Sequence, residues 1–302
     1  KNFWTALPRP FFVLAPMEDV TDAAFRHLIA SYADPSIARV MFTEFTAADG
    51  LVLADERGQR RLRKKLEYSE IERPIVAQLF SAVPERMEAA AALCEELGFD
   101  GVDINMGCPA KEIERSGCGS AMIKNPPLAR EIIRAVRRGA PNIPVSVKTR
   151  VGYNEVEIET WLPELLAEDP AAVTLHARTR KEMSDVPARW DHVARAVEIR
   201  DSLKSDTLII GNGYVKDMAD AREKIAATNA DGAMLGRAMF WNPWIFNEAD
   251  AATKSPEEKI RALIEHVELF QKHLSGFQND AVMKRHFKAY IGGWDHAKDL
   301  RQ

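Results

Sequence analysis

Only three of the 302 residues are cysteines, Cys94, Cys108 and Cys118. Their spacing makes neither a disulfide framework nor a zinc pattern, and this usage predicts a reducing, cytoplasmic setting. No apolar run approaches the ~20 residues of a membrane helix. The N-terminus lacks a basic stretch leading into an apolar core, so no secretory signal is expected; the opening Lys1 in place of Met implies a few residues upstream. No Gly-x-Gly-x-x-Gly stands at a strand–helix junction to suggest a separate dinucleotide domain. An excess of positive charge is also missing: 41 Lys and Arg against 45 Asp and Glu give a net charge of −4. The total argues mildly against a nucleic-acid partner.

Distribution can override that total. Arg57, Arg60, Arg61, Arg63, Lys64 and Lys65 crowd one segment, Arg178, Arg180 and Lys181 a second, and Lys284, Arg285, His286 and Lys288 a third. Each cluster is readable as a solvated helix face or as part of a surface for a polyanion.

What is present is alternation. Short β-branched or apolar runs predict strands at Phe11–Leu14, Val40–Thr43, Ile75–Leu79, Gly101–Asn105, Val145–Thr149, Ala172–His176, Leu208–Asn212 and Gly232–Leu235. Between them lie segments of helical period, among them Val83–Leu97, Pro127–Arg138, Glu157–Ala167 and Asp217–Ala227. Pro163 is expected to kink the third of these. Eight β-α repeats in roughly 240 residues predict a closed (β/α)8 TIM barrel, of class α/β. The unusual residues support closure, because they fall just past strand ends, which meet at one mouth only in a barrel. After Asn247 the strands stop. Residues 249–256 read as a linker, and Pro256–Ser275 and Asp280–Tyr290 as helices. This predicts a catalytic barrel over residues 1–248 and a small all-helical C-terminal domain over 249–302, short where the sequence ends at Gln302.

Gly211-Asn212-Gly213 and Gly236-Arg237 follow the seventh and eighth strands, where barrels commonly cradle phosphate. The glycines equally suit tight turns. Lys148 ends a buried strand, where an ammonium is costly without a partner. A bound anionic or electron-rich ring would provide one; a surface position past the strand is the plainer reading. Gln78 and His176 sit similarly on strand ends and could hydrogen-bond a heterocycle. Cys94 falls on an apolar helix face and reads as a small hydrophobe. Cys108 lies instead in Asn105-Met106-Gly107-Cys108-Pro109, held in a loop by Gly107 and Pro109. A thiol of ordinary pKa near ~8.5 is mostly protonated at neutral pH and can donate a proton as well as attack. Lys111 nearby could tune it, and no second Cys or His stands at a metal-ligand spacing.

Taken together, these residues resemble the tRNA-dihydrouridine synthases. The likeness runs through Leu14-Ala-Pro-Met-Glu-Asp-Val-Thr-Asp22, Asn105-Met-Gly-Cys-Pro109, Ser146-Val-Lys-Thr-Arg150, His176-Ala-Arg-Thr-Arg180, Gly211-Asn-Gly213, Leu235-Gly-Arg237 and Met283-Lys-Arg-His-Phe-Lys288. Members of that family are FMN-dependent barrels that reduce a uridine C5=C6 bond in tRNA with NADPH. The resemblance implies that Pro16, Met17, Gln78, Lys148 and His176 line the isoalloxazine. It implies that Asn212, Gly213, Gly236 and Arg237 hold the ribityl phosphate, that Asn105 and Arg178 contact the substrate nucleotide, and that Cys108 is the general acid. The partner implied is tRNA, with no metal and no membrane, and a monomer is expected. The chain departs from the family after Arg180, where Lys181–Trp190 replaces an aromatic-and-glycine continuation, and at Cys118, where a small residue is usual. The competing expectations are another FMN barrel acting on a small enone or pyrimidine, and a tRNA-binding protein with secondary catalysis.

Overall fold

The computed structural model describes residues 2–248 and 254–292, together with Ala297 and Asp299. The linker expected over 249–256 therefore falls largely outside the described residues. Among the described residues nine strands form one sheet: β1 (Phe11–Leu14), β2 (Arg39–Phe42), β3 (Thr46–Ala47), β4 (Ile75–Phe80), β5 (Gly101–Met106), β6 (Val145–Arg150), β7 (Ala172–His176), β8 (Leu208–Asn212) and β9 (Gly232–Leu235). All pairings are parallel. β1 joins both β2 and β9, and β2 joins β4, so eight strands close into a barrel. The two-residue β3 is an addition that no sequence pattern announced; it pairs only with the C-terminal end of β4.

The helices are α1 (Ala23–Tyr32), α2 (Ala48–Leu53), α3 (Glu56–Lys65), α4 (Pro84–Glu96), α5 (Lys111–Arg115), α6 (Pro126–Gly139), α7 (Ile158–Leu166), α8 (Asp191–Ser202), α9 (Met218–Thr228), α10 (Arg237–Trp241), α11 (Pro256–Leu274) and α12 (Lys284–Tyr290). Local chemistry sets several starts. The Asp22 carboxylate accepts the Phe25 amide at 2.9 Å, and Asn125 caps α6 ahead of two prolines. Ser255 and Glu258 form a capping box on α11. Pro163 lies inside α7. The buried face of α6, from Ala129 to Val136, packs on Met87, Ala90, Ala91 and Cys94 of α4. Gly139 permits the close approach, since a Cβ there would stand 2.0 Å from the Glu88 carbonyl oxygen.

Alternation along the strands divides the interior into layers. Residues on one face pack outward on the helices, as Val102, Ile104 and Met106 do on β5. The other face points into the barrel. At its lower end this inner set is apolar, with Phe11, Val40, Val76, Ala172 and Leu208, and Trp4 of the short N-terminal 3-10 helix packs against Phe11 and Phe42. Higher up the same face turns polar: Gln78, Asp103 and Ser146, then Asn105, Lys148, His176 and Asn212. The polar layer marks the mouth.

The helical region lies against the barrel rather than beside it. α11 packs on α1, with Leu28, Trp244, Ala262 and Tyr290 in one apolar cluster and Ala24, Phe270, Leu274 and Met283 in another. Among the described residues, no helix is long and apolar enough to cross a membrane.

Candidate active site

At the C-terminal ends of the strands a cavity of about 480 Å³ opens to solvent. Nine of the residues singled out from sequence line it: Pro16, Met17, Lys148, His176, Arg178, Asn212, Gly213, Gly236 and Arg237. Ser184, Tyr214 and Lys216 add to the wall. Among the described residues, four of its side chains are thus cationic, Lys148, Arg178, Lys216 and Arg237, and no carboxylate lines the cavity. Such a set invites an anion.

The glycines have separate tasks. Gly213 has φ +121°, and a Cβ there would stand 2.9 Å from Ala188 Cβ and 3.0 Å from His176 Cδ2. At Gly236 a Cβ would meet Ala15 and Met17 at 3.5 Å, inside the mouth. Gly211 does not line the cavity. It gives room to Trp190, whose ring would be 2.2 Å from an added Cβ and whose Nε1 donates to the Gly213 carbonyl at 2.8 Å. The unusual Lys181–Trp190 segment is thereby tied to the cavity floor, and its Ser184 reaches the wall.

Gln78, Asn105 and Cys108 are not on this cavity's lining; they form a hydrogen-bonded column beside it. Its base is Asp103, fully buried, which accepts from Ser146 Oγ at 2.6 Å and from Gln78 Nε2 at 2.7 Å. Because a carboxylate only accepts, Gln78 must turn its oxygen the other way. That oxygen takes Asn105 Nδ2 at 3.1 Å, and Asn105 Oδ1 takes the amides of Gly107 at 3.1 Å and Cys108 at 2.9 Å. Sequence reading missed Asp103 and Ser146. The signal was there: a carboxylate in the middle of the otherwise apolar run Gly101-Val-Asp-Ile104.

The Cys108 loop is held on its other side as well. The Gly107 carbonyl accepts Arg150 Nε at 2.8 Å, and the Cys108 carbonyl accepts Ser120 N at 3.0 Å. Arg150 Nη1 continues to the carbonyls of Thr179 and Met183, and Arg180 pairs with Glu114, which also takes Ser120 Oγ. Of the segment Arg178–Lys181, then, Arg178 is a buried wall residue and Arg180 is engaged in an ion pair.

Burial governs the protonation states. It pushes the Asp103 carboxyl up to about 6 and the Lys148 ammonium down to about 8, the latter helped by Arg150. Burial also raises the half-buried Cys108 thiol, against the opposing pull of the Ala110 amide and of the Lys148 and Arg150 charges, so the thiol keeps its proton. His176 is driven well below its usual range by burial and by the cations around it. Its Nε2 lies 3.0 Å from Arg178 Nη1. A guanidinium only donates, so Nε2 accepts and the proton of the neutral ring is on Nδ1.

Among the described residues, one cluster has carboxylates close enough to share a cation: Glu18, Asp19 and Glu44, beside the mouth. Burial raises Glu44 to about 7, and its oxygen accepts the Asp19 amide at 2.7 Å. The charge is answered within the chain. Lys65 pairs with Glu18 and stands 4.0 Å from Glu44, and Arg285 lies 3.2 Å from Asp19.

Comparison with known proteins finds relatives over nearly the whole chain. The profile described as "Dihydrouridine synthase (Dus)" matches residues 13–302. A "Probable tRNA-dihydrouridine synthase" of Staphylococcus aureus (strain COL) is 39% identical over all of this chain and 90% of its own length. A "Probable tRNA-dihydrouridine synthase 2" of Bacillus subtilis (strain 168) is 40% identical over all of this chain and 91% of its own. Among solved structures, histamine dehydrogenase from Rhizobium sp. 4-9 superposes with TM-score 0.54 at 12% identity, covering 85% of this chain and 48% of that one. An L230A mutant of flavocytochrome b2 with benzoylformate gives 0.51 at 15% identity, covering 92% and 71%. At such identities these two speak for the barrel alone.

Proposed function

This chain belongs to the dihydrouridine synthase family, and we propose that it reduces the C5=C6 bond of a uridine in tRNA, using FMN and NADPH. The observation that carries the reading is the acid-free cavity with four cationic side chains, set beside a protonated Cys108. A planar cofactor bearing a phosphate fits that donor set. Arg237, with the backbone of Gly213 and Gly236, would hold the phosphate, where a side chain on Gly213 would fill the cradle. Lys148 and the neutral His176, with Pro16 and Met17, would face the ring. Gln78 reaches the site through its column of hydrogen bonds.

FMN bound there would supply the hydride that uracil C6 accepts. The chain's own residues do the rest. Asn105 and Arg178 orient the uracil, and Cys108 holds the proton that C5 requires on its Sγ. A thiol kept neutral by burial is a competent acid for a carbon centre. Afterwards the thiolate is stabilised by the charges of Lys148 and Arg150, which already act on Cys108. The target base must leave its stack to enter the mouth. Residues 1–248 would carry this chemistry and 249–302 would help to seat the tRNA.

The test is a substrate comparison with the yellow holoprotein and NADPH. Unmodified tRNA should be reduced, while free uracil and cyclic enones at equal concentration should not. Rapid turnover of an enone without any action on tRNA would replace this reading with that of a small-molecule flavoenzyme.

A further inference from the structure

The three basic clusters of the sequence have different fates. In the second, Arg178 goes to the cavity wall and Arg180 to the Glu114 pair, leaving Lys181 exposed. In the third, Arg285 pairs with Asp19 and His286 is fully buried. The first, on α3, stays outside. This helix has no buried residue, and Arg57, Arg60, Arg61 and Arg63 are all exposed. None of these four has an ion-pair partner among the described residues, whereas Lys64 pairs with Glu67 and Lys65 with Glu18.

Arg60, Arg63 and Lys64 form one wall of a groove of about 510 Å³, and Phe277 stands in it. Phe277 follows the end of α11 and is 37% exposed, with Lys64 Nζ 5.0 Å from its ring centre. The acids of the groove are spent: Glu67 on Lys64, and Glu70 on Arg73 at 2.8 Å. The groove is also fixed to the mouth. Gln278, next to Phe277, donates to Asp19 at 3.2 Å, and Lys65 grips Glu18, the neighbour of cavity residue Met17.

We propose that this groove is a second nucleotide-binding site, outside the barrel mouth, which takes an unstacked nucleotide of an RNA strand. Arg60 and Arg63 bind its phosphates and Phe277 stacks on its base. A guanidinium fork suits phosphate, and an exposed ring flanked by cations is a stacking platform for any base. A bilayer surface fits poorly, because Leu62, the apolar side chain of α3, turns inward onto Gly50 and leaves that helix no apolar face to insert. The identity of the RNA as tRNA rests on the proposed function; the groove itself does not.

The experiment uses the FMN-loaded chain with unmodified tRNA, comparing wild type, Phe277→Ala, Phe277→Trp and Arg60→Ala/Arg63→Ala. Flavin content and NADPH-driven flavin reduction should be equal in all four. Phe277→Ala should weaken tRNA binding about tenfold, and Phe277→Trp should restore it. The double arginine variant should flatten the slope of log K against log salt by about 1.4 to 1.8. Wild-type affinity and slope in these variants would overturn the groove, as would tighter binding to anionic vesicles than to tRNA. Dihydrouridine is read separately. Wild type that binds tRNA through the groove but forms no product would refute the proposed function and leave the groove standing.

Discussion

Asn105 Oδ1 accepts the backbone amide of Cys108 at 2.9 Å, and what orients Asn105 is a carboxylate two hydrogen bonds below it. Asp103 can only accept, so it fixes the amide of Gln78, which fixes that of Asn105. Asp103→Asn would supply a donor as well as an acceptor and free both amides to turn. The expected result is a loss of uridine reduction of about 10- to 100-fold, the scale of a misplaced reacting group. Flavin content should stay near wild type. Full activity in the variant would show that the column does not position Cys108.

Replacing the thiol itself separates the two half-reactions. In Cys108→Ala, flavin reduction by NADPH should survive while uridine reduction falls at least ~100-fold, the effect of losing a general acid. Stopped-flow absorbance reads the first and nucleoside mass spectrometry the second.

The cavity's cations should govern cofactor retention. If Arg237 holds the cofactor phosphate as proposed, Arg237→Ala would remove a charge-assisted hydrogen bond worth about 1.5–3 kcal/mol, and FMN should bind about 10- to 100-fold more weakly. Gly213→Ala should fail differently, because φ +121° and contacts at 2.9 and 3.0 Å leave no space for a methyl group. Purified Gly213→Ala should emerge largely colourless, with little bound flavin by absorbance.

Affinity for the anionic cofactor should depend on pH through Lys148. Burial lowers this ammonium to about 8 in the cofactor-free chain. Below that pH it is charged and attracts an anion, and as pH rises through about 8 the attraction is lost. FMN dissociation constants should therefore rise from pH 7 to pH 9. Lys148→Met should bind weakly at every pH and lose this dependence.

A stability prediction lies away from the chemistry. Arg26 and Glu72, 0% and 1% exposed, pair at 2.8 Å between α1 and the segment before β4. Glu72→Gln leaves the Arg26 guanidinium buried without its counter-charge, at a cost of about 3–5 kcal/mol. Denaturant unfolding should show that loss, while the cavity keeps its flavin.

Much of this fold was legible because parallel strands buried on both faces read as short apolar runs. Phe11–Leu14, Ala172–His176, Leu208–Asn212 and Gly232–Leu235 appear with the bounds expected, and the other four barrel strands differ at their ends by one residue. α3 was legible only as a cluster of charge, because a helix that buries nothing has no apolar period. β3 is too short to carry an alternation. The mouth could be found from polar residues at strand ends, but their division of labour could not. Arg178 and Arg180 are the same residue type two positions apart, yet one lines the cavity and the other pairs with Glu114. Asp103 escaped notice because hydrophobic periodicity treats an isolated acid within an apolar run as noise. In a barrel it is the polar floor of the site.

The measurement that bears most directly on the whole account is a map of dihydrouridine, position by position, in unmodified tRNA. The tRNA is incubated with NADPH and either the wild-type holoprotein or Cys108→Ala. Reduction of one or a few defined uridines by wild type, and nearly none by the variant despite a reducible flavin, is the predicted result. Equal reduction by both proteins would remove Cys108 from the mechanism. A wild-type flavin that is reduced while every uridine stays intact would contradict the central claim.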